Sequence, residues 1–155
     1  MLKRILIIFF CYPCIVFSQD MPLVEQQFYI EIKDEDCFVK SKKDQKLLLK
    51  ARKKLYKGDF YSALDILKRI GSQPVVFAFK AEIFWLQGAF FNAESEALKV
   101  IEMCSNNYPD VYYFLGDIYF RKKDYVKADI YLKKSLNLGV SDPYYRDVLD
   151  LYNQV

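Results

Sequence analysis

The residue types that carry enzyme chemistry are sparse in this chain. None of its 155 residues is a histidine, which removes Ser-His and Cys-His nucleophile pairs, imidazole proton transfer near neutral pH and the commonest zinc constellations. Carboxylate pairs exist, Asp34 with Asp36 and Asp124 with Asp129. They fall in turns or on polar helix faces, where they read as solvated charge or helix-dipole partners rather than as general acid and base. No Gly-rich phosphate loop, paired C-x-x-C or nucleophile elbow is present, so the expectation is a non-enzymatic protein with no cofactor and no metal. Two binding features remain. Trp85 is the only tryptophan, an amphipathic ring that serves equally as a binding anchor or as a half-buried residue between helices. A basic run, Lys42, Lys43, Lys46, Lys50, Arg52, Lys53, Lys54 and Lys57, makes a solvated helix face or a contact for an acidic partner or an anionic membrane surface.

The elements that position these residues are legible from periodicity. Tyr112, Leu115, Gly116 and Tyr119 lie at i, i+3, i+4 and i+7, and Tyr125, Ala128, Leu132 and Leu136 make a second apolar face after the polar break at 121–124, which is a helical hairpin. A glycine inside a helix costs about 1 kcal/mol relative to alanine, so Gly116 implies close approach of the partner helix, expected at Ala128. The plan recurs: Gly116 and Ala128 are 12 apart, as are Ala81 and Ala93, and Ala51 and Ala63. Turns follow at Gly58-Asp59-Phe60, Gly88-Ala89-Phe90 and Lys123-Asp124-Tyr125, each closed by an aromatic that plugs the hairpin end. Pro74, Pro109 and Pro143, separated by 35 and 34 residues, mark helix starts, where a missing N–H is tolerated. Such a period signals a stacked array. Helices are predicted over 42–56, 60–70, 75–87, 91–104, 110–121, 125–137 and 143–153, the first opened by Ser41-Lys42-Lys43-Asp44 in capping-box form. The last carries an apolar stripe of Tyr145, Val148, Leu149 and Tyr152.

With Tyr112-x-x-Leu115-Gly116-x-x-Tyr119 followed by Ala128-x-x-x-Leu132, the chain resembles the tetratricopeptide repeat (TPR) family. The resemblance spans about residues 44–155: strong in the third unit, kept in the second by Phe77, Ala81, Phe84, Gly88, Ala93 and Ala97, and weakest in the first, where Lys54 stands at a usual aromatic. The step from Ala51 to Ala81 is 30 residues, so the second helix of unit one should end early, at Ile70-Gly71. What the resemblance implies is an all-α, antiparallel helix-hairpin solenoid of about three TPR-like repeats (44–73, 74–108 and 109–142) with a C-terminal capping helix over 143–153. It also implies a concave groove lined by the first helices, which binds a protein or peptide. Carried onto this sequence, the groove would present Arg52, Tyr56, Glu82, Trp85, Tyr113, Asp117, Phe120 and Arg121. Lys and Asn groups that clamp a C-terminal carboxylate in chaperone-binding members are replaced here by Leu48, Phe79, Asp110 and Phe114, with only Arg52 left for such a part.

The N-terminus reads separately. Met1 to Ser18 has a basic start at Lys3-Arg4, an apolar run from Ile5 to Phe17 and spaced small residues, the form of a signal peptide cleaved at Ser18/Gln19. An uncleaved membrane anchor is the alternative, although the run is interrupted by Pro13 and is short of the ~20 residues a spanning helix needs. Cys11 and Cys14 belong to this run. The rest, 19–40, is expected as an extended arm, with Phe28, Ile30 and Ile32 alternating against polar neighbours. Cys37 and Cys104 remain: a disulfide could join the arm to the second unit, but the sequence alone leans to two separate thiols. Removal of the leader leaves 21 basic against 20 acidic side chains, a balance that gives no footprint for nucleic acid. The functional expectation is an exported adaptor in a periplasmic or envelope assembly of a bacterium. A membrane-attached structural subunit, held by an uncleaved leader, is the alternative.

Overall fold

A computed structural model describes residues 37, 39–140 and 142–155 of the chain. The leader, nearly all of the arm and the alternating segment at 28–32 lie outside the described residues. Those described form seven helices and no strand: α1 Lys42–Tyr56, α2 Phe60–Lys68, α3 Pro74–Leu86, α4 Phe90–Met103, α5 Pro109–Arg121, α6 Tyr125–Leu138 and α7 Asp142–Tyr152. Local chemistry sets the boundaries. Ser41 Oγ accepts from the Asp44 N–H at 3.4 Å to open α1, Asp59 caps α2 through the Ser62 N–H at 3.2 Å, and Asp124 caps α6 through the Lys127 N–H at 3.2 Å. Pro74 and Pro109 take the first position of α3 and α5. α2 stops at Lys68 after 9 residues, against 14 in α4 and in α6, as the short first step predicts.

Helices pair in sequence, α1 with α2, α3 with α4 and α5 with α6, and α7 packs on both α5 and α6. Ala51, Ala63, Ala81, Ala93 and Ala128 are all fully buried, so the small residues spaced 12 apart do sit in the seams. One detail differs from the sequence expectation. A Cβ on Gly116 would come within 2.5 Å of Leu132 Cδ2 and 2.7 Å of its Cγ, so it is Leu132, one turn beyond Ala128, that fills the space a side chain would need. At the turns Gly58 has φ 72°, Gly88 φ 71° and Lys123 φ 61°; all three reversals use left-handed backbone at the same register. On α7 the packed residues are Tyr144, Val148, Leu151 and Tyr152, whereas Tyr145, expected in the stripe, is exposed.

The cysteines require a correction. Cys37 and Cys104 are not separate thiols but a disulfide with Cα atoms 5.9 Å apart and a sequence separation of 67. Both are buried. The Tyr108 hydroxyl donates to the Cys37 carbonyl at 2.7 Å and the Asn107 side-chain N–H reaches Cys37 Sγ at 2.9 Å, so the segment before α1 is fastened to the loop after α4. Closing a loop of this length contributes about 4 kcal/mol in the chain-entropy account. No periodicity reports this link, because Cys37 lies outside the helical pattern and Cys104 reads only as one more buried position of it.

Candidate functional site

Each of Arg52, Glu82 and Asp117 directly follows the seam residue of its helix, Ala51, Ala81 and Gly116. A seam residue faces its partner helix, so the next position turns toward the neighbouring first helix, 100° around the axis. All three are buried, at 1%, 4% and 3% exposure. A buried charge must be paired, and these are. Arg52 Nη1 forms an ion pair with Glu82 Oε2 between α1 and α3. Its Nη2 donates to the Tyr56 hydroxyl at 3.1 Å, and the guanidinium lies 4.7 Å over the Tyr56 ring and 5.4 Å over Phe79. Glu82 Oε1 accepts from the Tyr144 hydroxyl of α7 at 2.9 Å. Burial pushes the Glu82 carboxyl above its ordinary range, against the opposing pull of Arg52 and Tyr144. The Tyr144 phenol is pushed up as well, by its own burial first and then by the Glu82 charge.

A second cluster joins α3 to α5. Trp85 Nε1–H donates to Asp117 Oδ2 at 2.7 Å. Arg121 Nε donates to the same carboxylate at 2.8 and 3.0 Å, which raises the Arg121 pKa, and its guanidinium lies 5.0 Å over the Phe90 ring. Trp85 stacks on Phe114 at 5.0 Å and meets Tyr113 and Tyr144 edge-on at 5.4 and 5.9 Å. Burial raises the Tyr113 phenol, with the charges of Asp147 and Asp117 adding to it. Both clusters therefore converge on Tyr144, which bonds to the first and packs its ring on the second.

Of the eight residues predicted for this face, seven fall into the two clusters: Arg52, Tyr56 and Glu82 in one, Trp85, Tyr113, Asp117 and Arg121 in the other. Phe120 stands apart, half-buried, with its ring 5.6 Å from Tyr125. Tyr56 and Arg121 keep substantial exposure, so the row is open at its two ends and closed between them. Arg52, expected also on the solvated basic face of α1, does not belong there. Phe79, Phe114 and Tyr144 complete the face and were not among the predicted residues. Phe79 and Phe114 each precede the seam residue by two, and Tyr144 lies four before the buried Val148; that spacing was a usable signal. Paired as they are, these groups hold α1, α3 and α5 to one another and to α7. No protein-family model matches the chain, and no curated protein matches it.

Proposed function

We propose that the chain is a non-enzymatic protein-interaction module of the tetratricopeptide type, three stacked hairpins with α7 as the terminal cap, working in an exported, envelope-side setting. The observation that carries this reading is the row Arg52–Glu82–Tyr144–Trp85–Asp117–Arg121: Arg52 of α1 bonds to Glu82 at the equivalent position of α3, Tyr144 of α7 bonds to Glu82 and packs its ring on Trp85, and Trp85 bonds to Asp117 of α5, which also holds Arg121. Such bonding fixes the spacing of α1, α3 and α5 and leaves Tyr56 and Arg121 as the reachable contacts at either end. A rigid face with an exposed aromatic and an exposed guanidinium suits an extended peptide carrying carboxylates. Export is supported by the Cys37–Cys104 disulfide, a bond that persists in oxidising compartments and is rare where thiols are kept reduced.

The test is in-cell crosslinking of the full chain and of a Tyr56→Ala/Arg121→Gln variant, in which the glutamine amide can still donate to Asp117; a circular-dichroism spectrum and thermal midpoint close to those of the native chain show that the variant keeps the fold. The expected outcome is a specific partner captured by the native chain and reduced at least about tenfold by the variant, in keeping with truncated hot-spot residues. Equal capture by both would remove the first-helix face from the function.

A further inference from the structure

A different edge of the molecule is built in the opposite way. Tyr61, Phe91 and Val126 stand at one register, two residues before the buried Ala63, Ala93 and Ala128, at the second position of α2, α4 and α6. They are 86%, 82% and 74% exposed. Every hairpin thus projects an apolar side chain beside its turn. The second and third of these ends adjoin, since Lys122 after α5 pairs with Glu94 near the start of α4 and Arg121 covers Phe90. Carboxylates at the ends are all matched: Asp59 by Lys54, Glu94 by Lys122, Asp124 by Lys127. Lys57 and Lys123 are exposed additions to that balance, so the edge is apolar and net cationic.

Lys123 gives an independent indication. It sits at φ 61°, where the other two turns have Gly58 and Gly88. A side chain in that backbone region is disfavoured and glycine is not, so the lysine is kept at a cost to folding, the pattern expected where the side chain serves something other than the fold.

We propose that this turn edge is a docking surface for an anionic lipid bilayer, with Tyr61, Phe91 and Val126 entering the headgroup–acyl boundary and Lys57 and Lys123 meeting lipid phosphates. Isolated rings and a branched aliphatic, spaced along one edge and interleaved with ammonium groups, match an interface that is apolar below and negative above. A protein partner would instead call for a contiguous, shape-complementary patch depleted of charge at its centre. The surface does not depend on the first-helix face, so either reading survives failure of the other.

The experiment uses the full chain with vesicles containing a photoreactive phosphatidylglycerol in phosphatidylcholine, and maps the crosslinked peptides by mass spectrometry. The apolar leader with its basic Lys3-Arg4 can itself bind an anionic bilayer, so the readout is label on the peptides holding Tyr61, Phe91 and Val126 as a ratio to label on residues 1–40, compared with vesicles whose photoreactive lipid is phosphatidylcholine. Label at these peptides is expected only with the anionic lipid. It should fall about tenfold or more in Tyr61→Ser/Phe91→Ser/Val126→Ser and about fivefold in Lys123→Gly, one ammonium near a charged surface. Lys123→Gly relaxes the turn, so its thermal midpoint should hold or rise while binding drops. Label confined to residues 1–40, label insensitive to lipid charge or to these substitutions, or protection of the same side chains in a dimer without lipid would each overturn the proposal.

Discussion

The first-helix face and the turn edge draw on the same residue types and use them oppositely. On the face, Arg52, Glu82 and Asp117 are buried and answered by one another or by Tyr56, Tyr144, Trp85 and Arg121, and the rings of Trp85, Tyr113, Phe114 and Tyr144 spend their surfaces on each other. At the edge, Tyr61 and Phe91 hold their rings in solvent. Glycine shows the same inversion. Gly116 has no room for a Cβ, whereas Gly58 and Gly88 have nothing within 4 Å but a backbone that rejects one. The difference teaches where to look for function. Groups that satisfy each other hold a shape; groups left unsatisfied are available to something else.

The sharpest way to break the comparison is at Arg52. Arg52→Ala leaves the Glu82 carboxylate buried with Tyr144 as its remaining donor, and the expected loss of stability is about 3–5 kcal/mol. The thermal midpoint followed by circular dichroism measures it. Pairing Arg52→Met with Glu82→Gln should recover most of that loss, because the amide oxygen still accepts from Tyr144 and no charge remains in the seam. At the edge, Tyr61→Ser should change stability by less than about 0.5 kcal/mol. Comparable losses at both places would mean that the edge is structural and the contrast false.

Much of this arrangement was legible in the sequence, for a physical reason. Helix faces, turns and proline starts are set by local sterics, so the 12-residue spacing of the seam alanines and the +7 position of the turns located all the hairpins, and even the short α2 followed from the 30-residue step. Two things were not legible. Disulfide partners are chosen by where chain segments meet in space, and Cys37, outside the periodic region, carries no signal of its meeting with Cys104. The depth of the predicted groove residues was equally hidden: position beside a seam says which way Arg52 and Asp117 turn, but not that Tyr144 from α7 would bond to Glu82 and pack on Trp85 between them. The stripe expected on Tyr145 and Leu149 falls instead on Tyr144 and Leu151, beside the shared Val148 and Tyr152, because consecutive residues differ by 100° of helix and small differences in how α7 starts decide which one faces the bundle.

The two kinds of glycine give a second prediction. Gly116→Ala forces a methyl group against the Leu132 side chain, which is fully buried and must shift to admit it, and overpacking of this sort costs about 1–3 kcal/mol. Gly88→Ala also costs about 1–2 kcal/mol, but through the left-handed backbone. Denaturant midpoints would not separate the two causes; a compensating change does. Leu132→Val removes bulk where the new methyl group intrudes and should restore part of Gly116→Ala while doing nothing for Gly88→Ala. Failure of that rescue would return Gly116 to a role in backbone flexibility.

The smallest expected effect is a pH dependence at the first turn. The Lys54 ammonium hydrogen-bonded to Asp59, and after it the Ser62 hydroxyl and N–H, holds the Asp59 carboxyl down to about 2. A carboxyl with a depressed pKa binds its proton more readily in the unfolded chain, so its contribution is present above the ordinary carboxylate range and is lost as pH falls toward 2. The group is solvent-accessible and screened, which keeps the contribution small. Asp59→Asn retains an oxygen for the Ser62 N–H and therefore the cap, but it has no proton to bind. Thermal midpoints taken between about pH 5 and about pH 2 should fall more steeply for the native chain than for Asp59→Asn, with salt flattening the difference. Parallel slopes would mean that the Lys54 contact is not maintained in solution, and that the first turn is held by its cap and by Gly58 alone.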